Sequence, residues 1–228
     1  MGRSPLDDAH MRLVRANQQL GELREVASEF HRDYSGKVEL DDDGTLYGPQ
    51  PIPDDAAEYP GLLAGEVLYH LRAALEHVAY RLAWINRGKP VRGTQFAIED
   101  DPRMFEARIT GIRPDGKPCA AYLKHIHPDH REIIRKVQPF PGGPEWAGLL
   151  RTLSNDDRHR IPVRVETVSR IEEGTIVTKD GRSLDSFAYI DAFLVFDANG
   201  KQVTKTLELL QGGVHSLVDE FDALLASR

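Results

Sequence analysis

The run from Leu62 to Ile85 constrains this chain more than any other segment. At about 100° per residue, Val67, Leu68, Leu71, Leu75, Val78 and Leu82 fall within one arc about 100° wide. The opposite side carries Tyr69, His70, Arg72, Glu76, His77, Tyr80 and Arg81. The spacing predicts a long amphipathic helix that buries one face and keeps a polar, histidine-bearing face, with Gly88 and Pro90 as its stop. A fold containing it needs other elements to cover that apolar arc.

Further elements follow from the same kind of reading. Residues 5–33 repeat Leu6, Leu13, Leu20, Leu23, Val26, Ala27 and Phe30 at helical spacing. Ser4 is the expected N-cap, Pro5 the first helical residue and Gly36 the stop. Lys37 to Tyr47, with DDDG at its centre, predicts a small hairpin. The four prolines of 48–60 predict a loop. Thr94 to Ile98 reads as a strand, while 102–109, 128–137 and 145–158 read as helices. From Ile161 the period changes to alternation. IPVRVETVSRI and SFAYIDAFLVF read as strands, DANG as a hairpin turn, KQVTKTLEL as the returning strand and 212–226 as a closing helix. The expected fold class is α+β. A helical region with loop insertions spans 1–160, and an antiparallel sheet with a C-terminal helix spans 161–228, packed as one unit with the helices.

Charge narrows the functional classes. The chain of 228 residues carries a net −7. Residues 61–165 hold 17 basic and 12 acidic side chains, whereas both flanking segments are acidic. Six of the nine histidines also fall in that middle segment. An acidic chain is a poor general nucleic-acid binder, so any such chemistry belongs to the centre. The single cysteine, Cys119, excludes an internal disulfide and a cysteine-rich zinc site. No apolar run reaches the length of a membrane span, and the N-terminus lacks a signal-peptide core. The expectation is a soluble cytoplasmic protein with no membrane partner and no cofactor.

Three constellations carry candidate chemistry, and all lie in the basic centre. On the long helix, Arg72 and His77 flank one polar face. A guanidinium beside an imidazole suits a phosphodiester, the Arg neutralising the phosphate and the His moving protons. RNA supplies its own 2′-OH nucleophile, so this chemistry needs no metal. The structural alternative pairs Arg72 with Glu76 one turn away and packs His77 under a neighbouring helix. The second constellation is Asn155-Asp-Asp-Arg-His-Arg160, where Asp157 and His159 would complete a proton-transfer site and Arg160, with Arg81, would bind phosphate. Its alternative is a helix stop at a buried polar junction. The third, His125, His127, Asp129 and His130, has either metal-ligand spacing or the character of a polar loop entering a helix.

Three resemblances attach to these residues. The segments Gly65–Ala83 and Leu149–Val163, with KVQPF at 136–140 between them, resemble a bacterial, actinobacterial-type family. That family carries G-x-x-L-x-x-L-R-x-A-L-x-H and, later, L-x-x-x-D-x-H-R. The likeness spans residues 1 to about 165 and implies an α+β protein with no assigned activity. The Arg72/His77 pair also resembles the R-x(4–6)-H motif of HEPN domains. That resemblance implies a helical bundle, a homodimer, RNA or a nucleotide as partner, and metal-independent ribonuclease chemistry. In HEPN nucleases an Asn, Asp or His often follows the Arg, where this chain has Ala73. The string at 125–130 resembles the H-x-H-x-D-H motif of metallo-β-lactamase-fold hydrolases, which implies a two-metal site for water activation.

Overall fold

A computed structural model describes residues 4–40, 46–158, 164–177 and 183–226; the side chains of 39–40, 46–47, 155–158, 172–177 and 183–188 lie outside the description. Six helices and four strands follow one another as α1 (Asp7–Tyr34), β1 (Gly36–Leu40), β2 (Leu46–Tyr47), α2 (Glu58–Arg87), α3 (Pro102–Thr110), α4 (Pro128–Lys136), α5 (Glu145–Arg158), β3 (Val165–Val177), β4 (Ser183–Phe196) and α6 (Val203–Ala226). The fold class is α+β.

Helix α2 is central because its apolar arc is wider than the aliphatic residues alone suggest. Leu68, Leu71, Leu75, Val78 and Leu82 are fully buried, and so are Ala64, Ala74, Ala79 and Ala83 beside them. The alanines let neighbouring backbones approach closely, while each buried Leu or Val contributes about 1.5–3 kcal/mol. Leu6 at the N-cap and Leu13, Leu20 and Leu23 of α1, with Leu207, Leu210, Val214 and Phe221 of α6, close over this arc in one core. Helix α2 ends at Gly88, whose positive φ of 66° is the left-handed conformation a C-terminal stop requires.

The sheet is antiparallel, in the order β2-β1-β4-β3. The long pair β3–β4 runs from Val165↔Phe196 to Val177↔Ser183. Strand β1 joins β4 through Gly36↔Ile190, Lys37↔Tyr189 and Val38↔Ala188, and the short β2 pairs with β1. The sheet therefore recruits a strand from the N-terminal part of the chain, beyond the C-terminal strands expected for it.

Four expectations are corrected. KQVTKTLEL is not a returning strand: the turn at Asp197–Asn199 is followed by α6, which begins at Val203. Val203, Thr206, Leu207 and Leu210 all bury, and that three-and-four spacing is served only by a helix. Thr94–Ile98 is not a strand. The loop of 48–60 ends earlier than read, since α2 begins at Glu58. Ser4 is not the N-cap of α1, because that position is taken by Leu6. Ser4 instead organises the preceding turn, its Oγ accepting from Leu6 N at 3.1 Å and its carbonyl accepting from Asp7 N at 3.1 Å.

Candidate functional site

Segment 94–99 raises an accounting question. Phe96, Ala97 and Ile98 are buried, yet no neighbouring strand satisfies their backbone. Buried amide and carbonyl groups without partners are costly, so partners must come from elsewhere. Side chains supply them. Glu76 Oε2 accepts from Phe96 N at 3.0 Å, and Arg72 Nη2 donates to Phe96 O at 2.6 Å. Gln138, 1% exposed, accepts from Glu99 N at 2.8 Å through Oε1. Its Nε2 donates to Ala97 O at 3.1 Å and Ile134 O at 2.9 Å. Arg72 and Glu76 also pair with each other at 2.9 Å. At the end of the segment Arg108 pairs with Glu99 at 2.6 Å. Three side chains from α2 and the C-terminal side of α4 thus stand in for a missing strand.

This placement defines what Arg72 can do. Its side chain is 13% exposed, and its guanidinium is shared between a carboxylate and a carbonyl. A phosphate would have to displace both. His77 lies about 140° further round α2 at 100° per residue. The flank it occupies faces α1: Arg81 Nε donates to Pro5 O at 2.8 Å, and the Arg12 guanidinium sits 5.8 Å from the Tyr69 ring centre. His70 belongs to the same flank. Burial lowers its pKa below 6.5, the charges of Arg12 and Arg15 add to that, and Glu66 opposes them. The two residues of the proposed pair therefore look toward different neighbours. Of the second constellation, Asp157 contributes its backbone to α5, while its side chain, His159 and Arg160 lie outside the described residues.

Within the histidine string the His127 and His130 rings meet edge-on, 5.7 Å between centres. His127 caps α4, its Nδ1 accepting from Asp129 N at 3.3 Å. His130 is 1% exposed and turns inward, edge-on to Phe221 with ring centres 6.1 Å apart. His125 is held by its carbonyl, which accepts from Asn86 Nδ2 at 2.9 Å. Burial lowers the His125 pKa, and Arg87, Lys124 and Arg131 lower it further. Arg131 fixes the loop by donating to Ile126 O at 2.7 Å and Lys124 O at 3.0 Å. Among the described residues no group of three or more His, Cys, Asp or Glu gathers closely enough to hold a metal ion. His125, His127, Asp129 and His130 are loop and helix-start residues. Cys119 Sγ donates to Ala107 O at 3.5 Å and has no part in these clusters.

One polar cluster escaped the reading of the sequence. Ser4 Oγ donates to Asp222 Oδ1 at 2.7 Å, and His10 Nε2 contacts Asp222 Oδ2. The residue types are those of a hydrolytic triad, but the connectivity differs. Such a triad needs the hydroxyl bonded to the imidazole. Here both side chains bond the carboxylate, which clasps the start of α1 to the end of α6. Nothing in local spacing links residues 4, 10 and 222. A groove of about 850 Å³ runs between α1 and α6, lined by residues from Leu13 to Arg24 and from Glu208 to His215. Its walls are cross-bridged by Arg24–Glu208 at 2.8 Å and Gln211–Asn17 at 3.0 Å, so those polar groups serve each other.

No protein-family profile, curated protein or solved structure matches this chain.

Proposed function

We propose that this chain is a non-catalytic interaction protein, in which Arg72 and Glu76 brace the fold and the neighbouring outer surface of α2 is offered to a partner. The observation that carries this reading is the double engagement of Arg72 by Glu76 and by the Phe96 carbonyl. A guanidinium so placed spends its charge on the fold, and releasing it would strip a buried carbonyl of its donor. Among the described residues the other chemistry-bearing clusters are closed in the same way. Asp222 takes up both Ser4 and His10, and His127 is committed to the α4 cap with its ring edge-on to His130 at 5.7 Å.

The HEPN-like, metal-independent ribonuclease is the competing reading. Its support is the flank on which His70, His77 and Arg81 share a stripe beside Arg12 and Arg15. Incubation of the purified chain with single-stranded RNA, with and without divalent cations, separates the two. The interaction reading predicts intact RNA. Cleavage that disappears in both His77→Ala and Arg72→Lys would overturn it.

A further inference from the structure

We infer that the outer edge of β3 is a strand-addition site, on which an extended segment of another protein pairs with Val165–Ile171 and lays a Lys or Arg side chain into the pocket between β3 and the start of α2. This goes beyond the interaction reading of α2, because it assigns a partner to the sheet.

Strand β3 is last in the order β2-β1-β4-β3, so one of its sides has no neighbour in the sheet. The direction of its backbone groups follows from β4. Ala192 N donates to Ser35 Oγ and Phe196 N to Lys201 O, each at 2.9 Å and on the side of β4 away from β3. In an antiparallel pair, residues opposite one another point their backbone groups alike, both into the pair or both out of it. Ser169 and Val165, opposite Ala192 and Phe196, therefore turn N–H and C=O outward, and so do Thr167 and Ile171 by alternation. Among the described residues no backbone group meets these outward donors and acceptors. Exposed edges are usually guarded by Lys, Pro or a bulge. From Val165 to Ile171 there is neither Lys nor Pro, and the register shift of the pair lies beyond, between Ile176 and Val177. The open edge is about 20 Å long, and Ile171 on it is 64% exposed.

The charge of the occupant is set by a pocket of about 440 Å³ at the Val165 end. Leu62 and Val165 give it an apolar lining, while the carboxylates of Asp54, Glu58 and Glu166 outnumber the guanidinium of Arg164 around it. A Lys or Arg side chain suits such a lining, its stem along Leu62 and its charged head at the carboxylates. Glu166 belongs both to the strand and to the pocket, so a base opposite it on the added strand engages both. One added strand lies about 5 Å from β3. A second copy pairing through its own β3 would bring its β4 as well, about 10 Å out, where the start of α2 walls the pocket.

Fluorescence anisotropy of the full chain with a short labelled peptide of alternating Val and Thr, one central Thr replaced by Lys, tests this. Saturable binding is expected below about 1 mM. Methylating the peptide on one alternate set of amides, those that enter the pair, should weaken binding about 30-fold or more. Methylating the other set should change it less than about threefold. Ser169→Pro should weaken binding about tenfold or more with unchanged circular dichroism, because the N–H it removes points outward and takes nothing from the β3–β4 pair. If that variant loses structure, the methylated peptides decide alone. Glu166→Lys should reverse the preference from the Lys peptide to one with Glu in its place. Absence of saturable binding, equal effects of the two methylated sets, or equal binding of the Lys and Glu peptides overturns the inference. So does a sedimentation mass of twice 25.6 kDa that Ser169→Pro returns to 25.6 kDa, since β3 then pairs with a second copy. None of these outcomes touches the reading of α2, which RNA cleavage decides.

Discussion

The two flanks of α2 carry similar residues and use them differently. On one flank Arg72 and Glu76 turn toward buried backbone and bond the amide and carbonyl of Phe96. On the other, which carries His70, His77 and Arg81, Arg81 donates to the carbonyl of Pro5 just before α1 and stacks on Trp84. A charged side chain becomes structural when the backbone opposite it lacks a partner. It remains available for binding when the neighbouring helix has already satisfied its own backbone. The residue type alone does not separate these cases.

The contrast predicts unequal costs of substitution. Gln138→Ala should be the most damaging change at the brace. It removes the acceptor for Glu99 N and the donor for Ala97 O in a fully buried setting. Urea unfolding should show a loss of about 3 kcal/mol. Arg72→Ala should cost about 2 kcal/mol by the same measurement, because Glu76 keeps its bond to Phe96 N. His77→Ala should cost no more than about 1 kcal/mol. Equal losses at Arg72 and His77 would break the comparison.

The α1-facing flank has its own signature in pH. Burial and the guanidinium groups of Arg12 and Arg15 hold the His70 pKa below its ordinary 6.5, with Glu66 the opposing charge. The unfolded chain therefore binds the proton first as pH falls. The stabilising contribution is complete above about pH 6.5 and is lost as pH drops toward the folded-state pKa. His70→Gln should flatten the stability profile in that window, read as the urea midpoint against pH. An unchanged slope would show that the flank is less buried than described.

These flanks also show what the sequence reveals and what it withholds. The burial of Leu68, Leu71, Leu75, Val78 and Leu82 follows from periodicity, because a helix repeats its environment every three to four residues. The Arg72–Glu76 pair is legible for the same reason, being one helical turn apart. Their bonds to Phe96 are not, since they depend on a segment some twenty positions away that must first be placed by its buried phenylalanine. The reading of Thr94–Ile98 as a strand fails, because side chains and not a neighbouring strand meet its buried backbone. The first turns of α6 mislead differently: β-branched Val203 and Thr204 after a turn resemble a strand. Burial of Val203, Thr206, Leu207 and Leu210 against α1 and α2 overrides that local preference. The Ser4–His10–Asp222 clasp joins opposite ends of the chain and leaves no local trace.

The central claim is that Arg72 and Glu76 replace a strand partner for Phe96, and amide hydrogen exchange at Phe96 tests it most directly. The account predicts that this amide, outside any strand and bonded to Glu76 Oε2, exchanges slowly in the native protein. Arg72→Ala should speed its exchange by about tenfold or more. A Phe96 amide that exchanges in the native protein as fast as an open chain would contradict the account.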